Sequence, residues 1–230
     1  MGEAGTSAAR VRTAVLISGR GSNLAALLGA CARPEAPAEI ALVVSNRADA
    51  AGLQHAAVAG IAAEVIDHQR FRTREEFDRA VSVALEESNI GLVCLAGFMR
   101  LLSPWFTDRW RDRVLNIHPS LLPAFPGLDT HRRALAAGVR FSGCTVHFVR
   151  AAVDAGPILV QGVVPVRAED TPDALAARVL RAEHRCYPLA LDLVASGRTR
   201  VEGERVLIDG ASVPEAIVIN PEPYAEPIRS

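Results

Sequence analysis

Between residues 14 and 96 the apolar positions come in short unbroken runs, each closed by small or polar residues and followed by a stretch of helical spacing. Residues 14–17 are such a run. It ends at Ser18-Gly19-Arg20-Gly21-Ser22-Asn23, after which Leu24, Leu27 and Leu28 recur at helical spacing, so the pattern predicts strand, tight turn and helix. Residues 40–44 predict a second strand, 50–59 a second helix and 63–66 a third, shorter strand. At 73–87 the opening Thr-Arg-Glu-Glu resembles a capping box, and Phe77, Val81 and Leu85 form one stripe of a helix. Further strands are predicted at 92–96, 114–118, 145–149 and 158–166, then a long helix at 172–195.

Continuous apolar strands alternating with helices demand a parallel sheet covered on both faces, because each crossover lays a helix on the sheet. The expected fold is therefore α/β: an open, mostly parallel, doubly wound Rossmann-like sheet, extended by antiparallel strands and a long C-terminal helix. Residues 1–12 read as a flexible leader and 13–210 as one domain, divided into halves at 13–112 and 113–210. Residues 211–230, rich in proline, read as a weakly ordered tail.

Half of the 230 residues are hydrophobic and 22% are charged, enough for a full apolar core without a metal or disulfide staple. All 25 basic residues are arginine, against 26 acids, and the net charge of -1 argues against duplex nucleic acid or an acidic membrane as the main partner. Cys31, Cys94, Cys144 and Cys186 lie too far apart for a metal-ligand spacing and read as reduced core thiols of a cytoplasmic protein. No metal is expected. The apolar runs are too short to span a bilayer, so no membrane partner is expected either.

Three places carry candidate chemistry. The turn SGRGSN would aim backbone N–H groups and a helix dipole at an anion, but it lacks the third glycine of a dinucleotide fingerprint and also fits a plain turn capped by Ser22 or Asn23. Asn116 and His118 stand two apart at a strand end and leave one face together. An amide and an imidazole at the carboxyl edge of such a sheet can stabilise a developing oxyanion, or can be satisfied structural groups. Asp154, in a loop of small residues, is either the carboxylate that orients and charges the imidazole or an Asx turn. The stretches Ser103-Pro104-Trp105 and 119–123 hold too many prolines for helix or central strand and read as loops.

The ordered blocks VLISGRGSNL, VVSNRADAAGL, LAGFMRLLSP, LNIHPSLLPAFPG, GCTVHFV and VDAGPIL resemble the phosphoribosylglycinamide formyltransferase family of folate-dependent enzymes over roughly residues 12–210. The resemblance implies transfer of a formyl group from the co-substrate 10-formyltetrahydrofolate to the amine of glycinamide ribonucleotide, in purine biosynthesis, by a monomer or homodimer. It implies a catalytic trio of Asn116, His118 and Asp154. It places Gly21, Ser22, Asn23, Arg74 and Glu183 on the ribonucleotide, with Arg74 as a phosphate partner. Met99, Arg100, Leu101, Leu102, Ala151, Val153 and Asp154 are implied to form the folate pocket. Leu180 departs from the pattern, since relatives often carry a polar side chain there. The same trio would serve a 10-formyltetrahydrofolate hydrolase, the second reading, although such enzymes normally add an N-terminal domain that twelve leader residues would not form. Transfer to aminoacylated tRNA would be expected to bring a basic C-terminal domain.

Overall fold

The computed structural model describes residues 9–212 and 214–221. Five strands run parallel: β1 (Val11–Ile17), β2 (Ala38–Ser45), β3 (Ala63–Val65), β4 (Leu92–Leu95) and β5 (Val114–His118). The direction then reverses. β6 (Phe141–Phe148) is antiparallel to both β5 and β7 (Ile158–Pro165), and a hairpin of β8 (Thr199–Glu202) and β9 (Arg205–Ile208) completes a sheet of order β3-β2-β1-β4-β5-β6-β7-β9-β8. The expected α/β architecture is the observed one.

Helices cover both faces because both faces of the central strands are apolar. On one side α1 (Ser22–Cys31) and α6 (Pro172–Ala195) lay Leu24, Leu27, Leu175, Val179, Tyr187 and Leu191 on Val15, Ile17 and Leu115. α2 (Gly52–Val58) and α5 (Thr130–Ala136) lie on the same side through Ala56 and Ala134. On the other side α3 (Arg74–Glu87) and α4 (Pro104–Arg109) bring Phe77, Val81, Leu85, Phe106 and Trp110 against Leu16, Val93 and Leu95. Each such side chain, fully removed from water, stabilises the fold by about 1.5–3 kcal/mol before entropy is counted. α3 begins at the predicted capping box, with Thr73 Oγ1 accepting from Glu76 N and the Glu76 carboxylate accepting from Thr73 N.

Several boundaries differ from the sequence expectation. Val11 and Arg12, read as leader, already pair in β1, and the Arg10 guanidinium bonds the carbonyls of Cys31, Ala36 and Ala38. Residues 1–8 lie outside the described residues. Ser103-Pro104-Trp105 is not a loop: Ser103 caps α4 and Pro104 takes its first turn, where a missing N–H costs nothing. The pattern also missed α5, residues 141–144 of β6 and the β8–β9 hairpin. In the tail, residues 214–219 carry no regular structure, while Asn220 Nδ2 donates to the carbonyls of Arg140 and Val166; residue 213 and residues 222–230 lie outside the described residues. All four cysteines are free and buried, as expected.

Candidate active site

The strand order reverses between β1 and β4, so the turns after those two strands diverge to opposite faces and leave a crevice at their carboxyl ends. The Ser18 hydroxyl ties the rim together, accepting from Met99 N at 2.8 Å and donating to Asn46 Oδ1 at 2.6 Å. Two openings lie here. The larger, about 710 Å³, is bounded by the turn 18–23, by Ala96 and Gly97, and by Glu183 and Leu180 of α6. The smaller, about 140 Å³, is bounded by Arg74, Arg100, Asn116, His147 and the loop 150–154.

In the turn, Gly21 adopts φ +76° and Gly52 presses directly on it: a Cβ on Gly21 would stand 2.6 Å from Gly52 Cα. Only glycine permits both the conformation and the approach. Gly21 is also the N-cap of α1 and makes no side-chain cap bond, so the expectation of Ser22 or Asn23 as cap is corrected and the first-turn N–H groups stay uncapped by any side chain. Asn23 instead turns inward and donates through Nδ2 to Glu183 Oε2 at 2.7 Å. Burial pushes the Glu183 carboxyl above the ordinary glutamate range, opposed by that hydrogen bond and by the nearby His118.

Asn116 and His118 share one face of β5, as their spacing predicts, while Leu115 and Ile117 pack into the core on the other. Asn116 lines the smaller opening, and Ile117 and Pro119 line the larger, so His118 stands in the wall between them. Its Nδ1 lies 3.3 Å from Asp154 Oδ2. Its Nε2 lies 3.0 Å from the Phe125 carbonyl. Both ring nitrogens thus face acceptors. Asp154 sits at φ +51°, in the left-handed region that aspartate tolerates, and Gly127 N–H donates to its Oδ2 at 2.8 Å.

His147 belongs to this cluster, and sequence reasoning passed it by. It is the register partner of Asn116 across β5 and β6, and the Asn116 amide lies 3.2 Å from its Nε2. His147 Nδ1 lies 3.0 Å from the Phe148 carbonyl, so Nδ1 carries the proton and Nε2 accepts from Asn116. Burial lowers the His147 pKa, which keeps the ring neutral in that tautomer. One hydrogen of the Asn116 amide is thereby engaged, and the second is free for a ligand. The loop after β5 is pinned by Thr145, whose hydroxyl donates to Ser120 O and accepts from Leu122 N.

Of the other expected residues, Gly21, Ser22, Asn23 and Glu183 do line the larger cleft, and Arg100, Leu101, Leu102, Ala151, Val153 and Asp154 the smaller pocket. Two are placed differently. Met99 borders the larger cleft rather than the smaller pocket. Arg74, expected on the phosphate, lines the smaller pocket beside Arg100. The reason is topological: the turn 18–23 opens α1 on one face of the sheet, whereas Arg74 opens α3 on the opposite face. Among the described residues no cluster of His, Cys, Asp and Glu could hold a metal ion, and no helix is long and apolar enough to cross a membrane.

An amide, an imidazole and a carboxylate thus meet beside the carboxyl end of β5, one strand from the switch point, and comparison with known proteins gives the class. The formyl transferase family model matches residues 11–191, and the chain belongs to that family. It is 54% identical over 192 residues to the trifunctional purine biosynthetic protein adenosine-3 of Gallus gallus, covering 84% of this chain but only 19% of that relative. The chain therefore spans about a fifth of the length of such relatives. It is 44% identical over 200 residues to the phosphoribosylglycinamide formyltransferase of Escherichia coli (strain K12), covering 87% of this chain and 94% of that one. The crystal structure of glycinamide ribonucleotide transformylase 1 from Symbiobacterium toebii superposes with a TM-score of 0.85 at 49% identity, covering 86% and 94% of the two chains.

Proposed function

We propose that this chain transfers the formyl group of 10-formyltetrahydrofolate to the amine of glycinamide ribonucleotide, releasing formylglycinamide ribonucleotide and tetrahydrofolate, as a cytoplasmic enzyme of purine biosynthesis. The observation that carries the reading is the Asn116–His118–Asp154 cluster standing between two openings, one for each substrate. The smaller pocket, with Arg74 and Arg100 at its rim, suits a flat ring with an anionic tail. The larger cleft, with uncapped N–H groups at one end and Glu183 toward the other, suits a phosphorylated sugar bearing an amine.

In the reaction the substrate amine attacks the formyl carbon and the carbonyl oxygen gains charge. The free hydrogen of the Asn116 amide donates to it, in an orientation fixed by His147. His118 adds positive charge, held by Asp154. Its Nε2 is engaged with Phe125 O, so the ring acts through its field, and direct donation requires that carbonyl to give way. The amine proton passes to the departing folate nitrogen through Asp154 or an intervening water, and no covalent enzyme intermediate forms.

The test is to incubate the chain with 10-formyltetrahydrofolate, with and without glycinamide ribonucleotide, and to follow tetrahydrofolate. Release that depends on the amine supports transfer. Release without it identifies a hydrolase, and no release in either case overturns both.

A further inference from the structure

The larger cleft needs a cation, and its walls offer one in an unassigned place. The α6 wall supplies Asp173, Glu183, Ala176, Ala177 and Leu180, that is, two carboxylates and otherwise apolar groups. His131 also lines the cleft, but burial lowers its pKa and it stays neutral. A phosphate dianion seated on the turn would face those carboxylates with only backbone N–H groups to offset them. Among the described residues that line the cleft, Arg20 alone is permanently charged positive. It sits at the centre of the SGRGSN turn, is exposed, and makes no ion pair or hydrogen bond among the described residues. Arg33, Arg47, Arg79, Arg109, Arg150 and Arg178 are by contrast each paired with a carboxylate.

We propose that Arg20 is the phosphate-binding cation of this enzyme, closing its guanidinium over a phosphomonoester whose other oxygens rest on the N–H groups at the start of α1. The inference rests on the proposed function for the identity of the ligand, and it takes the charge from the turn rather than from α6 or from Arg74. The planar fork of arginine matches two phosphate oxygens at once, which a lysine cannot do. Because Arg20 makes no ion pair among the described residues, no salt bridge among them has to be broken for it to bind. The site would accordingly select phosphorylated over dephosphorylated amines through this one side chain.

The experiment is titration calorimetry on the full chain and on Arg20→Ala and Arg20→Lys, with three probes: glycinamide ribonucleotide, its dephosphorylated riboside, and ribose 5-phosphate. Arg20→Ala should weaken the two phosphorylated probes roughly 10- to 100-fold and leave the riboside unchanged, with Arg20→Lys in between. Unchanged binding of the phosphorylated probes, or an equal loss for the riboside, would overturn the assignment. If the unaltered chain binds ribose 5-phosphate through Arg20 but not glycinamide ribonucleotide, the assignment stands and the proposed substrate falls. If it binds neither, both fall.

Discussion

Asp154 Oδ2 serves two partners at once, the Nδ1 of His118 at 3.3 Å and the backbone N–H of Gly127 at 2.8 Å. An amide in its place cannot carry the charge that holds an imidazolium: turned one way its oxygen still accepts from both donors, and turned the other its NH2 confronts both. Asp154→Asn should therefore lower kcat by about 10²-fold or more while the fold survives, and His118→Ala or Asn116→Ala should do the same. Steady-state kinetics with circular dichroism as the folding control checks this, and near-normal turnover in any of the three would remove that residue from the chemistry.

His147 holds the Asn116 amide through its Nε2, which makes it a positioning residue. His147→Leu removes the acceptor at Nε2 and frees the amide to rotate, so kcat should fall roughly 5- to 100-fold with the KM values little changed. His147→Gln, which can restore an acceptor, should recover part of the loss. A fall in substrate affinity with kcat intact would contradict a positioning role.

Glu183 links the substrate cleft to stability through pH. Its carboxyl titrates above the ordinary value of 4.5 in the folded chain, because burial disfavours the charge. Between that ordinary value and the raised one, the native state holds a proton that the unfolded chain has lost, so stability falls as pH rises through the window. Glu183→Gln keeps an acceptor for Asn23 and has no proton to lose. Its Tm relative to the unaltered chain should increase from pH 4 to pH 8 by about 2–4 °C for each kcal/mol relieved. A pH-independent difference would show that the carboxyl is ionised without cost.

The contact between Gly21 and Gly52 gives a prediction about the turn itself. A methyl group at position 52 would stand 2.7 Å from Ile17 Cδ1, 3.1 Å from Gly21 Cα and 3.2 Å from Gly19 O. Gly52→Ala should cost about 1–3 kcal/mol of stability through overpacking. It should also raise the KM for the phosphorylated substrate more than the KM for the folate, since it pushes on the turn and not on the smaller pocket. Denaturant titration and the two KM values together test it.

Much of this could be read from residues alone, for reasons that also mark where the reading stops. The bounds of α6 and the capping box of α3 were legible because long apolar stripes and local cap chemistry are written in consecutive residues. Asn116 and His118 were legible because a strand puts alternate residues on one face. The half-exposed β8–β9 hairpin carries too few apolar positions to announce itself. That Arg74 lines the smaller opening was not legible, because the pattern along a chain does not say which face of the sheet a helix will cover. The carbonyl of Phe125 and the N–H of Gly127 are main-chain groups, and no side-chain motif encodes them.

The reversal of direction at β6 ties catalysis to packing. Cys144, Val146 and Phe148 point into the core, which leaves Thr145 and His147 for the opposite face, opposite His118 and Asn116 respectively. The oily letters of the strand thus act as a ruler for the polar ones between them. A drift of one position would move His147 away from its amide only by turning three core side chains onto the polar face and Thr145 and His147 into the apolar core, so the alignment of these polar groups inherits the cohesion of the interior.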